Sequence, residues 1–293
     1  PTSPVHAGWE DTPIRAMGLD AVADLAVVAD WSSVRFYRRG PSIRGDIHVP
    51  VASIAFGSVT PGMVADTTFV IANTGENALQ SENHLLTTVA MRLDGAVTYG
   101  LEGSVFVAGS AMQWLRDELR IIDSAPESEA IARATGVVED VHVVPAFAGL
   151  GAPYWDPDAR GAILGLTRGS GREQIVTATL QSVAYQTRDL VDAMAEDGIR
   201  PSVIRVDGGM VANDWFLQFL ADVLDIPIER PRNVESTVLG AAYLAAAQAG
   251  VVESAHAVSR LWQSDALLTP QMTAAERDRL LEGWRDAVQR VRS

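Results

Sequence analysis

A chain of 293 residues with 47% hydrophobic side chains, 24 Gly and 14 Pro has room for one large globular domain or two ordinary ones. It has no cysteine, which excludes disulfides and thiolate chemistry and makes a reducing cytoplasm the expected location. Its formal net charge of −14 repels phosphate backbones and anionic headgroups, so neither nucleic acid nor a membrane surface is expected as a partner.

Residues 1–57 carry no clear period. "AVADLAVVAD" (21–30) reads as a helix, and "RFYRRGPSIRGD" (35–46) is basic and rich in turn residues. "PTSPVHAGWEDTP" has neither the cationic start nor the apolar run of a secretory signal. From residue 68 the pattern sharpens. "TFVIA" (68–72), "HLLTTVAM" (84–91) and "AVTYGLE" (96–102) read as strands, separated by turn chemistry at Asn73-Thr74-Gly75 and Asp94-Gly95, and predict an antiparallel meander. Residues 104–119 read as a helix, with Val105, Ala108, Met112, Leu115 and Leu119 at helical spacing. "VHVVPAF" (141–147) reads as a buried strand. Residues 172–198 read as an amphipathic helix with Ile175, Thr179, Val183, Leu190 and Met194 on its apolar face and Gly198 at its end. A strand at 203–206, a helix at 213–224, a strand at 226–230 and a helix at 237–250 follow. Thr273 and Glu276 have the spacing of a capping box that opens a last, charged helix. The longest apolar stretch, residues 239–252, contains Gln248 and falls short of the roughly 20 residues that a spanning helix needs. Hairpins followed by alternating strands and helices predict an α/β domain with a mixed sheet and flanking helices.

Three stretches look like sites. "RVDGGMVANDW" (205–215) stands between a strand and a helix, where open α/β sheets place ligands and where glycines bare backbone N–H groups to phosphates. Asp207 is suited to orienting a metal-bound water or to holding the turn. Gly208 and Gly209 let a nucleotide approach, and Asn213 has a base or ribose within its chemistry. A strained turn with Asn213 as helix cap accounts for the same residues. "GLGAPYWDPDARGAILGLTRGSG" (149–171) is a long glycine-rich loop with an aromatic anchor at Tyr154-Trp155, to be read as a functional loop or as one packed on the sheet. "AGSAMQW" (108–114) puts Gly109 and Gln113 on one helix face, for a ligand or for another helix. The histidines at 6, 48, 84, 142 and 256 have no ligand spacing, so no metal site is expected from protein side chains, and neither G-x-S-x-G nor a Walker-type loop is present.

Jointly these stretches are more specific. "SENHLLTTVA", "YGLEGSVFVAGSAMQWLRDEL", "VVPAFAGLGAPYWDPDARGAILGLTRG", "RVDGGMVANDWFLQFLADVLDIPIERP" and "ESTVLGAAYLA" closely resemble the C-terminal half of the glycerol kinases, within the FGGY carbohydrate kinases. The resemblance runs from about residue 60 to 250. It implies an actin-like ATPase (ribonuclease H-like) fold, ATP and Mg2+ as cofactors, and transfer of the γ-phosphoryl group to glycerol. It assigns nucleotide contacts to Gly109, Gln113, Gly209 and Asn213, with Gly208, Asp207 and Thr67 beside them. It divides the chain into a degenerate remnant of an N-terminal kinase domain (1–57), the nucleotide-binding domain (58–255) and a helical extension (256–293). Glycerol and ATP are the expected ligands, and a homo-oligomer or a complementing N-terminal half the expected protein partner.

The chain departs from the family in three places, the largest being the N-terminal domain's Asp-x-Gly-Thr phosphate turn and glycerol-holding residues, to which residues 1–57 offer no match. The family's catalytic Asp lies six residues before the phenylalanine of an "A-L-F-G" run. Here the run is "SIAFG" (53–57), and Pro50, which has no acid–base chemistry, stands six residues before Phe56, so no catalytic residue is assigned. The family's Gly-Thr-Gly phosphate turn is replaced by "GMVADTTF" (62–69), where Thr67 or Thr68 is the nearest substitute. Two functions are therefore carried forward: the nucleotide-binding half of an ATP:glycerol phosphotransferase, and a catalytically inactive remnant that at most binds nucleotide or a partner subunit.

Overall fold

The computed structural model describes residues 18–22, 25–29, 34–38, 68–93, 95–233, 236–248, 250–251 and 263–292. The chain divides into two compact units, one of Pro1–Met63 with Asn233–Gln263 and one of Val64–Arg232 with Ser264–Ser293.

In the smaller unit β1 (Gly18–Val22), β2 (Leu25–Ala29) and β3 (Val34–Arg38) form an antiparallel sheet in that order. The helix expected at 21–30 is therefore a hairpin, with Val22 paired to Leu25 and Gly18 to Ala29. The Val27-Val28 pair favours an extended backbone, because branching at Cβ restricts χ1 in a helix. Helix α5 (Ser236–Gln248) packs against β1 and β2.

The larger unit begins with β4 (Thr68–Gly75), β5 (Leu86–Leu93) and β6 (Ala96–Val105). The expected meander is not what forms. The order is β4-β6-β5, with β6 antiparallel to both neighbours. The link from β4 to β5 is too long for a tight hairpin and is held elsewhere. Ser81 Oγ (2.5 Å), the Glu82 N–H (3.0 Å) and Asn83 Nδ2 (2.8 Å) all donate to the Asp197 carboxylate, just after the long helix at 172–196. The helix expected at 104–119 is also shorter. Val105 still pairs with Thr68, and α1 covers only Gly109–Asp117.

Helix α3 (Arg172–Glu196) is the centre of this unit. The amphipathic face read from the sequence understates its burial, since every residue from Val176 to Tyr185 is buried. Apart from Thr177, whose buried Oγ1 has no hydrogen-bond partner among the described residues, polar side chains on the hidden faces are satisfied close by. Thr179 Oγ1 donates to the Ile175 carbonyl (2.7 Å), and Ser182 Oγ to that of Thr179 (2.7 Å). Gln181 accepts from the Val138 N–H (2.8 Å) and donates to the Val138 carbonyl (2.9 Å). A buried polar group paired in this way avoids the desolvation cost of an unmade bond, which is why these positions tolerate burial. Helix α2 (Glu127–Thr135) packs on α3, as does β7 (His142–Val144), which pairs with β8 (Ala162–Leu164).

After α3, β9 (Ile204–Arg205) lies parallel to β10 (Ile228–Pro231), and β11 (Ser264–Leu268) lies antiparallel to β10, so this sheet is mixed as expected. Helix α4 (Asp214–Leu224) connects β9 to β10 and packs on α3. The last helix, α6 (Ala274–Val291), opens with the expected capping box: the Glu276 N–H donates to Thr273 Oγ1 (3.3 Å) and the Thr273 N–H to Glu276 Oε2 (3.1 Å). Thr273→Ala is expected to cost about 1 kcal/mol, measurable as a lower midpoint in urea with an unchanged slope. No helix among the described residues is long and apolar enough to cross a membrane.

Candidate nucleotide site

Strand β9 ends where the Val206 N–H donates to the Glu229 carbonyl (3.1 Å). Asp207 follows, exposed, and then Gly208 at φ 88° and ψ 179°. A side chain at that backbone position is strained, so Gly208 is a glycine for conformational reasons. Gly209 is different. Its φ is not positive, and a Cβ built on it meets no atom of the described residues within 4 Å. Neither the backbone nor internal packing requires a glycine there.

Gly209 opens a 3-10 turn (Gly209–Ala212), and Asn213 caps α4 by accepting the Phe216 N–H on Oδ1 at 2.8 Å. The capping role expected for Asn213 is thus present. It uses the side-chain oxygen and leaves the Nδ2 amide as the group with which Asn213 can address a ligand. Arg230 pins the start of α4 from β10: its guanidinium donates to the Val211 carbonyl (3.1 Å) and to Asp214 Oδ1 (2.6 Å), and pairs with Asp265 (2.8 Å). This anchor was missed in the sequence, although an arginine inside the apolar "IPIER" strand is a signal of it.

Gly109 is the first residue of α1, and Gln113, one turn further on, is exposed. The other side of α1 sends Ala111, Met112 and Leu115 into a core cluster with Ile131 and Ala132 of α2 and Val176 and Leu180 of α3. Met210 and Trp215 pack against that same cluster. The turn with Gly209 and Asn213 and the helix with Gly109 and Gln113 are therefore held on one apolar body. Asp207 and Gly208 come with the turn. Thr67, Pro50 and residues 53–57 lie outside the described residues. A cavity of about 400 Å³ on the flank of α4 is lined by Arg133, Asp214, Trp215, Gln218, Arg230 and Leu268, but by none of Gly109, Gln113, Gly209 and Asn213.

The stretch at 149–171 is not one long loop, since β8 runs through it and pairs with β7, and it takes the packed reading. Gly151 lies against the Ser104 carbonyl oxygen and Gly165 against that of Asp140, so close that a Cβ on either would overlap it. Trp155 Nε1 donates to the His84 carbonyl at 2.7 Å.

The C-terminal domain of the FGGY family of carbohydrate kinases matches residues 63–249. The chain belongs to the FGGY family of carbohydrate kinases. Among curated FGGY relatives, a glycerol kinase of Alteromonas mediterranea is 58% identical over 224 residues, covering 76% of this chain and 45% of the relative. A glycerol kinase of a Marinomonas species is 48% identical over 299 residues, covering 97% of this chain and 60% of the relative, so similarity reaches into the first 57 residues as well. A crystal structure of Plasmodium falciparum glycerol kinase with ADP superposes with a TM-score of 0.71 at 36% identity, over 78% of this chain and 46% of that one. The α/β fold is thus the actin-like ATPase fold of the FGGY kinases. The chain spans about half the length of the curated relatives it matches.

Proposed function

We propose that this chain is the nucleotide-binding half of a glycerol kinase, with the polyol site supplied by a complementing N-terminal half. The reading is supported by Gly209, a glycine that neither its φ nor the described residues around it require, at a position to which the family resemblance assigns a nucleotide contact. In this reading Gly209 leaves room for the adenosine to rest on the backbone. Asn213 addresses the base or ribose through Nδ2 while its oxygen keeps α4 in place, and Gln113 lies on the exposed side of α1 one turn beyond Gly109. ATP supplies the phosphoryl group, and Mg2+ enters with its phosphates, as a hard cation that keeps most of its waters does.

The sequence at 50–69 favours a limit on this activity. With Pro50 at the base position and no Gly-Thr-Gly turn, no group takes the glycerol proton and the phosphates are weakly held. The isolated chain is expected to bind AMP and ATP about equally, with Kd on the order of 0.1–1 mM. It is also expected to form no glycerol 3-phosphate at the roughly 1–100 per second of ordinary kinases. Titration calorimetry with both nucleotides, on the chain and on Gly209→Val, tests the site. Valine should leave the melting temperature unchanged and weaken AMP at least tenfold. Equal AMP affinity in the variant refutes the placement of the adenosine, and ATP binding far tighter than AMP refutes the loss of the phosphate cradle.

A further inference from the structure

Asp189 lies on α3, partly buried, and its carboxylate joins three separate parts of the larger unit. From α6, Trp284 Nε1 donates to Asp189 Oδ2 at 2.8 Å. Trp284 is fully buried and stacks on Tyr185 of α3, with ring centroids 5.4 Å apart and an interplanar angle of 23°. From the 149–171 stretch, Tyr154 lies near enough for its hydroxyl to influence the same carboxylate. The Arg292 guanidinium, just after α6, lies 5.2 Å over the Tyr154 ring and closes the circuit from that stretch to the helix end.

The charged groups facing this carboxylate are few. Asp192 is on the same helix, paired with Arg188 at 2.7 Å and with Arg285 of α6 at 3.6 Å. Arg285 is thus shared with a competing carboxylate and gives Asp189 only distant support. Burial is the main influence and pushes Asp189 up to about 7, against which Trp284, Tyr154 and Arg285 pull downward. Burial also raises Tyr154, so the phenol stays protonated.

We propose that Asp189 is a proton-operated latch that docks the C-terminal helix α6 and the 149–171 stretch onto α3, tightest when its carboxyl is neutral. The geometry serves both protonation states. The neutral acid still accepts from Trp284 and places no charge between α3 and α6. The ionised form keeps the Trp284 donor but carries a charge that is short of water.

The sign follows from linkage. The docked carboxyl holds its proton up to about pH 7, whereas an undocked, hydrated one loses it in the ordinary range near 4. Docking is therefore fully favoured below the ordinary range, weakens as pH rises towards 7, and is constant above that.

The test is amide hydrogen exchange on the full chain from pH 5 to 8.5, each rate divided by its intrinsic, base-catalysed value. Protection across residues 274–291 should fall by up to about tenfold per pH unit between 5 and 7 and level off above 8. In Asp189→Asn, which keeps an acceptor for Trp284 and has no titrating proton, protection should not vary with pH. A flat profile in the unmodified chain, or an unchanged slope in the variant, overturns the latch. A carboxyl 13C titration of Asp189 in the unmodified chain gives a reading that does not depend on the variant folding: a midpoint near 7 supports the latch, and one near 4 overturns it.

Discussion

Trp284→Ala is expected to destabilise the larger unit by about 3–5 kcal/mol, the range for removing a large aromatic side chain from a core. Trp284 has no exposed surface, and its removal takes away the stack on Tyr185 and the donor to Asp189 together. Trp284→Phe separates the two effects. It keeps most of the ring volume and loses only the N–H, which should cost about 1–3 kcal/mol. That cost should be larger at pH 8, where Asp189 is ionised, than at pH 6, where it is mostly neutral. Urea denaturation of both variants at the two pH values checks the order. Equal losses for alanine and phenylalanine would place the energy in the hydrogen bond rather than in packing.

The second large effect is expected at Gly165. Its φ is +80°, and a Cβ there would overlap the Asp140 carbonyl oxygen, a backbone atom that cannot rotate away. Alanine at positive φ costs about 1–2 kcal/mol by itself. Displacing packed backbone adds about 1–3 kcal/mol, so Gly165→Ala should lose about 2–5 kcal/mol in total. Gly198→Ala is the matched control. Gly198 has φ +86° after the end of α3, but its Cβ would meet nothing among the described residues within 4 Å, so only the conformational cost of about 1–2 kcal/mol should appear. Thermal melts of the two variants separate steric overlap from backbone strain. Equal shifts would show that the 149–171 stretch moves aside to accept a methyl group, and would undercut its reading as a packed structural element.

Much of this protein was legible in its sequence wherever a few neighbouring residues decide the structure. The capping box at Thr273 and Glu276, the end of α3 at Gly198 and the Asn213 start of α4 are local, because side-chain and backbone groups three residues apart satisfy each other. The pair Gly208-Gly209 also stood out, and with it the family. What the sequence could not determine depends on groups far apart along the chain. Local turn residues predicted a meander, but the β4-β6-β5 order depends on Asp197 holding residues 81–83 from more than a hundred positions away. Polar residues at 179, 181 and 182 made α3 look half-exposed, and only the packed structure shows the carbonyls and the Val138 backbone that let this stretch be buried on every side. The same holds for Asp189. In the sequence it is one more acid on a helix, and its tie to Trp284, 95 positions later, exists only once α6 is laid against α3. Local hydrogen bonds form within a few residues at little entropic cost, whereas strand order and the protonation of a buried acid depend on which distant segments exclude water from one another.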